Sequence, residues 1–308
     1  MKKGLSELTH HWGYVGAIAS AIFFGMTATL NKIVLEDVHP LIVAGLIYFI
    51  AGIVLLCVRL SPLQNLVLSM METPTKTDTL ITRRDLQILA VVILSGAIIA
   101  PFLFLYGLDE TTAVNASLLS NTEAVFTVFI AFLLLNERGT RKDYVAILLL
   151  IIGAMFVTTN AEFQKLSLTR EILGNMLVVG ACLFWGIDNN LSKLVSKKRD
   201  LVSITALKCS IGGGILLILS IFLKVNFQIP LYSIPYLFSV GAFGIGFSIL
   251  FFLFALREIG SMKTGVIFST SSLFGAALAF IMLKENFSMI QLIAGFVMLL
   301  GVYILYRK

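Results

Sequence analysis

Charged residues are scarce in this chain of 308 residues, where they make up 13% against 58% hydrophobic residues. Soluble domains carry about 25% charged and about 45–50% apolar residues. Because so few charges cannot cover a water-exposed surface, the composition excludes a soluble globular protein. A membrane-spanning helix takes about 20 residues, so the chain has room for about ten spans and for no soluble domain of ordinary size.

Several motifs of known chemistry are also missing. The three cysteines, Cys57, Cys182 and Cys209, lie inside apolar runs and form no Cys-x-x-Cys, which argues against a disulfide framework or a zinc site. The sequence contains no P-loop and no His-Glu-x-x-His, so it predicts neither an ATPase nor a zinc protease. We therefore expect no catalytic residues, no metal and no cofactor.

What the chain does contain is a series of long apolar runs bounded by charges and turn residues. These runs predict an all-α polytopic membrane protein, because each is long enough to cross a bilayer as a helix. The ten predicted helices cover residues 13–35, 41–60, 86–108, 113–135, 143–160, 172–194, 201–223, 235–257, 262–283 and 288–306. The segment 61–85 is predicted to be a solvated loop with an interfacial piece at 63–71.

The basic residues predict the orientation of these helices. Alternate loops place sixteen Lys and Arg residues on one side and five on the other, and cytoplasmic loops are the ones that collect such residues. This asymmetry also accounts for the net charge of +6 without a nucleic-acid partner. We expect a multi-pass protein of the plasma membrane with both termini in the cytoplasm.

The sequence repeats itself once along its length. Phe23-Phe24-Gly25 and the following Leu-Asn-Lys-Ile-Val match Phe184-Trp185-Gly186 and Leu-Ser-Lys-Leu-Val, 161 residues later. Ten identities between residues 108 and 153 recur 148 residues later. The matches predict two five-helix repeats, residues 1–160 and 161–308. An odd number of helices inverts the second copy, which is typical of secondary transporters.

These motifs resemble those of a known family. Together with Leu-Leu-Leu-Asn-Glu-Arg at 133–138 and Leu-Lys-Glu-Asn at 283–286, the repeats look like an EamA-type permease of the drug/metabolite transporter superfamily. The resemblance covers essentially the whole chain and implies ten helices around a central cavity, with export or uptake of small metabolites. The family often has a proline midway along helices 4 and 9, and neither predicted helix contains one.

Glu123 is the first of three ionisable residues predicted inside the membrane. An ionisable group there generally faces a cavity or a partner. Glu123 lies about 15 Å along helix 4, half of a ~30 Å hydrocarbon layer, and Ser120 and Thr127 share its helical face. We consider three roles for its carboxyl: proton coupling, binding of a cationic substrate, or a hydrogen bond between helices.

The other two charges, Asp188 and Lys208, are predicted at similar depth on helices 6 and 7. Sequential antiparallel helices usually neighbour each other, so the two should form an ion pair, unless Lys208 extends alone to the headgroups. Trp185, Asn189 and Ser192 share the face of Asp188. Trp185 suits either the membrane interface or a cationic or amphipathic ligand.

Helix 9 has a corresponding stripe of small residues. Ser271 takes the place of Glu123 in the repeat, next to Ser272. Close packing with hydroxyl hydrogen bonds between helices explains both serines, and a substrate contact is the alternative.

Taken together, these features favour a secondary transporter that moves a small organic metabolite by alternating access, with protons as a candidate coupling ion. Its partners are then the metabolite and the lipid bilayer. The alternatives are an intramembrane lipid-handling enzyme or flippase, for which only Asp188 with Lys208 approaches a constellation, and a membrane scaffold, which three buried charges disfavour.

Overall fold

The computed structural model describes residues 2–61, 83–134, 140–159, 169–196, 201–286 and 288–307. The described residues form ten helices, α1–α10. They are α1 Lys2–Leu35, α2 Pro40–Leu60, α3 (Arg83–Ile93, Leu94–Ile99 and Ala100–Glu110), α4 (Ala113–Leu119 and Thr122–Leu134), α5 Arg141–Thr159, α6 Arg170–Ser196, α7 Leu201–Phe222, α8 Ser233–Ala255, α9 Lys263–Leu283 and α10 Met289–Tyr306. The predicted interfacial piece at 63–71 lies outside the described residues.

The helices have the length and composition of membrane spans. Within the described residues, nine are long and apolar enough to cross a bilayer, and Met289–Leu305 is apolar but shorter. Large apolar side chains point outward, among them Phe129, Leu148, Met176, Ile218 and Ile281, and such a surface suits lipid. The predicted all-α polytopic fold is confirmed.

Helix packing follows a symmetric scheme. α2 packs along α7, and α5 packs along α10. α1 lies against α8 and α9, while α6 lies against α3 and α4. The first helix of each predicted repeat therefore contacts the third and fourth helices of the other repeat.

The contacts of α1 show how α8 and α9 are oriented. Along α8 and the helical turn that follows it, they run in opposite chain directions: Gly13 with Glu258, Ser20 with Ser248, and Thr27 with Gly244. Along α9 they run in the same direction: Gly25 with Ser271, and Thr29 with Gly275. The chain therefore reverses between α8 and α9, although Ser248–Ser269 is helical across the junction.

Two π-helical segments occupy matching positions in the repeats, Leu94–Ile99 in α3 and Val240–Phe247 in α8. Each contains a glycine in tight contact with a neighbouring helix. A Cβ at Gly96 would overlap the carboxyl group of Asp188. Asp188 therefore packs directly against the π-helical segment of α3, and π-helical turns frequently occur at functional sites.

The predicted continuous helix 113–135 is wrong, because α4 is interrupted at Ser120 and Asn121. Tighter backbone bonds replace the α-helical pattern here, such as Asn121 N–H to the Leu118 carbonyl. The hydroxyl of Thr122 also donates to the Leu119 carbonyl. Ser and Thr hydroxyls that compete for helix carbonyls bend helices, so the break needs no proline. α9 has a matching interruption at Thr270.

Candidate functional site

A cavity of about 90 Å³ lies beside the interruptions of α4 and α9. Its walls are formed by Phe24, Ser120, Asn121, Glu123, Ala124, Thr127, Asn189, Gly265, Phe268, Ser269, Ser271 and Val302. Half of the ten residues predicted from the sequence are among them, namely Ser120, Glu123, Thr127, Asn189 and Ser271. Asn189 is exposed, so the cavity is open to the outside of the protein at this wall.

Glu123 lies in the first turn of the second segment of α4. This position favours a carboxylate, because the helix dipole makes the amino end of a helix positive. Asn189 Nδ2 donates to Glu123 Oε1 over 2.7 Å and lies 3.5 Å from Thr127 Oγ1. Among the described residues, an amide is therefore the side-chain partner of Glu123, and no cation contacts it.

The neighbouring Asn190 explains why Asn189 faces Glu123. Asn190 Nδ2 donates to the backbone carbonyls of Thr127, at 2.8 Å, and Gly186, at 2.9 Å. The bond to Thr127 joins α6 to α4, and the bond to Gly186 holds the Asn190 side chain against its own helix.

Asp188 forms a separate charged cluster. The predicted ion pair is present, with Lys208 Nζ 2.5 Å from Asp188 Oδ2, while the Ser192 hydroxyl donates to Oδ1 over 2.9 Å. Asp188 is buried, with 4% of its surface exposed, and it does not line the cavity of Glu123. Each carboxylate oxygen therefore has a partner within the protein, and the charge of Asp188 is neutralised by Lys208.

Trp185 lines a second cavity, of about 30 Å³. Its ring lies 5.4 Å from that of Phe104, centroid to centroid. Phe24 lines both cavities and separates them. Asn31 also lines the second cavity, and its buried Oδ1 has no hydrogen-bond partner in the part of the chain that the structure describes. Trp185 is thus one helical turn from Asn189 but outside the cavity that contains Glu123.

The two predicted serines of α9 have different positions. Ser271 lines the main cavity. Ser272 accepts a hydrogen bond of 2.8 Å from Asn121 Nδ2 and donates to the Ser269 carbonyl. Ser272 therefore joins the interruptions of α4 and α9. Asn121 and Asn31 were not predicted as site residues. Asn121 lies on α4, which was already assigned to the site, whereas Asn31 lies on α1, from which no site residue was predicted.

Polar contacts close the other end of the bundle, where α3 turns into α4. Lys32 Nζ donates to the carbonyls of Leu108, Asp109 and Thr111 over 2.7–2.9 Å. The Glu285 carboxylate accepts the backbone N–H groups of Ala113 and Val114 at 2.8 and 2.9 Å. We call Lys32 and Glu285, acting on the turn 109–114, the corner clamp.

More side chains hold the same turn from α6 and α10. Asn115 donates to Glu171 over 2.9 Å and accepts from Gln291 over 2.7 Å. The Thr111 hydroxyl donates to Asn175 over 2.6 Å. Helices of both predicted repeats are therefore joined at this end. No group of three or more His, Cys, Asp or Glu residues in the described chain could hold a metal ion.

A polytopic helical bundle whose interrupted helices enclose a polar cavity has the architecture of a small-molecule transporter. The chain belongs to the EamA-like transporter family, which it matches twice, over residues 11–159 and over residues 172–307. The resemblance seen in the sequence motifs is confirmed, and the family is one of transporters, not enzymes.

Similar proteins support this assignment. An uncharacterized transporter of Methanothermobacter thermautotrophicus is 44% identical over 295 residues, 96% of this chain and 86% of that protein. The uncharacterized transporter YetK of Bacillus subtilis is 22% identical and covers 94% of this chain and 86% of its own. A crystal structure with 13% identity aligns over 97% of this chain and 96% of its own, with a TM-score of 0.65, and it shares the fold.

Proposed function

We propose that this transporter carries a small organic metabolite by alternating access as a secondary active transporter. The observation that supports this proposal is the contrast between the two ends of the bundle. The cavity of Glu123 is open at Asn189, while the corner clamp joins α1, α4 and the end of α9 at the other end. In an alternating-access cycle, each state has its substrate cavity open to one side of the membrane and closed to the other.

The orientation completes this proposal. The positive-inside rule assigns the ends of α1 and α9 to the outside of the cell and both termini to the cytoplasm. The corner clamp would then close the outer side, and the cavity would face the cytoplasm. The matching contacts of α1 with α8 and α9, and of α6 with α3 and α4, support two inverted repeats, residues 1–160 and 161–308.

Cysteine labelling tests the orientation. Glu36 and Arg141 are exposed at opposite predicted faces, so each is replaced by cysteine in a variant lacking Cys57, Cys182 and Cys209. An impermeant thiol reagent added to intact cells should label Glu36→Cys and should label Arg141→Cys only after lysis. The reverse pattern would invert the proposed orientation.

We further propose that Glu123 couples transport to protons. A carboxyl group with an amide partner can gain and release a proton without breaking an ion pair. Loss of hydration inside a membrane disfavours its charged form, so the exposure of the carboxyl to water influences whether it is protonated. Asn189 can donate a hydrogen bond to the ionised carboxylate, and a proton can bind the carboxylate when the substrate leaves. Ser120, Thr127 and Ser271 would then contact the substrate beside it.

Purified protein in liposomes tests the transport proposal directly. A panel of radiolabelled amino acids, amines and nucleosides is offered with and without an imposed pH gradient. Accumulation that is abolished by a protonophore, with the compound recovered unchanged, supports proton-coupled transport. Chemical conversion without flux would instead support the intramembrane enzyme, and protein-dependent lipid scrambling would support the flippase.

A further inference from the structure

We propose that the transported metabolite is an organic cation whose ammonium group binds the Glu123 carboxylate. This inference rests on the proposed transport function and specifies its substrate class. It comes from the charges, the hydrogen-bonding groups and the aromatic side chains that line the main cavity.

The charges of the lining favour a cation. Among the twelve lining residues, Glu123 is the one with an ionisable side chain. The nearest described cation, Lys208, is held by Asp188 and does not line the cavity. An anionic substrate would therefore meet a carboxylate with no compensating positive charge, whereas an ammonium group would meet a matching one.

The hydrogen-bonding groups of the lining lead to the same conclusion. Ser120 and Ser269 donate their hydroxyl protons to carbonyls of their own helices, Ala116 at 2.8 Å and Val266 at 2.7 Å. Their oxygens keep acceptor capacity towards the cavity. An ammonium group brings up to three donors and no acceptor, so it complements these two hydroxyl oxygens, whose own protons are already donated.

The amides of the lining add further acceptors. Asn121 uses Nδ2 for Ser272, and Asn189 uses Nδ2 for Glu123. Each amide group then retains its oxygen as an acceptor. When an ammonium group binds Glu123, Asn189 can leave the carboxylate or remain on its Oε1 while the cation takes the other oxygen.

Aromatic side chains give the apolar part of the ligand a place. Phe24 and Phe268 lie with ring centroids 5.2 Å apart, and both line the cavity beside Glu123. Aromatic faces attract cations and pack against apolar groups. A compact amine with a short apolar or aromatic body therefore fits better than a sugar or a lipid.

A cation and a proton would then compete for one carboxylate. The other titratable groups around Glu123 are Asp188 and Lys208, which neutralise each other, and the thiol of Cys182 on α6. None of these supplies a second binding carboxylate. The cycle would exchange an ammonium group for a proton, so lowering the pH should weaken cation binding.

A series of ligands that share a phenyl body and differ in charge tests the proposal on the purified wild-type protein. Phenethylamine, phenylalanine, 3-phenylpropionate and phenethyl alcohol are compared by calorimetric binding at several pH values. Phenethylamine should bind tightest, by roughly tenfold or more over the alcohol, and should lose affinity as the pH falls. Equal or tighter binding of the alcohol, the amino acid or the anion would overturn the proposal.

Variants then assign the binding to Glu123. Glu123→Gln keeps the shape of the side chain and should lose roughly tenfold or more in affinity for phenethylamine at every pH. Glu36→Gln, an exposed control at the end of α1, should bind like the wild type. If Glu123→Gln does not fold, the wild-type charge series decides alone.

Failure of the cationic-substrate proposal can be distinguished from failure of the transport function. Proton-driven uptake of an amino acid or nucleoside, without binding of phenethylamine, would refute the cationic substrate and leave the transport function standing. Absence of flux for every class in the liposome panel would refute the function itself.

Discussion

Glu123 and Asp188 are two carboxyl groups in the same part of the bundle with opposite surroundings. Asp188 is buried, and Lys208 and Ser192 occupy both of its oxygens. Glu123 faces a cavity and has an amide as its side-chain partner. A charge that is fully paired resists change, while a carboxylate beside an open cavity can change its partner. We therefore propose a structural role for Asp188 and an exchanging role for Glu123.

The largest effect on stability is expected at the ion pair. Asp188→Asn and Lys208→Met should each lower the free energy of unfolding by ~3–5 kcal/mol, because each leaves an uncompensated buried charge or dipole. The double variant should recover part of the loss. Unfolding in detergent, analysed as a double-mutant cycle, measures this coupling, and additive losses would show that the pair is not a unit.

Lys32 is a third charged residue to compare with Asp188 and Glu123, and its hydrogen-bond partners are backbone carbonyls. Lys32→Met should lower the free energy of unfolding by about 2–3 kcal/mol, since hydrogen bonds to a charged group are lost at the turn 109–114. It should also raise the reactivity of a cysteine placed at Asn31 towards an external reagent. Lys284→Met removes an exposed charge near the same end and serves as the control. Equal reactivity in both variants would contradict a clamping role for Lys32.

Substitution of Asn189 should have the smallest effect on the free energy of unfolding. Asn189→Leu removes the hydrogen bond to Glu123 and should change the free energy of unfolding by about 1 kcal/mol, while substrate flux in liposomes falls severalfold. Asn226→Leu, at an exposed amide outside the helices, should leave both unchanged. Normal flux in Asn189→Leu would separate Asn189 from the transport site.

Much of this arrangement could be predicted from the sequence, for identifiable reasons. Apolar runs specify helices because bilayer thickness sets their length. Asp188 and Lys208 could be paired from their depth alone, since consecutive helices usually adjoin. The repeat signalled Glu285 as part of a motif, but its role as a cap on α4 depends on helices that meet only in the folded bundle.

Other features depend on packing that the sequence does not display. The interruption of α4 arises from local hydroxyl and backbone bonds around Ser120 and Thr122, and no proline marks it. Trp185 shares a helical face with Asn189, yet Phe24 from α1 divides that face between two cavities. Helical spacing identifies a shared face, but the neighbouring helix decides which residues share a cavity.

We propose that the Glu123 carboxyl exchanges its proton during transport, and uptake by Glu123→Gln in liposomes is the decisive measurement. The amide matches the protonated acid in shape but cannot titrate. Glu123→Gln should lose uptake driven by a pH gradient, while its free energy of unfolding should change by less than about 1 kcal/mol. Glu36→Gln should behave as the wild type. Wild-type accumulation and wild-type pH dependence in Glu123→Gln would contradict it.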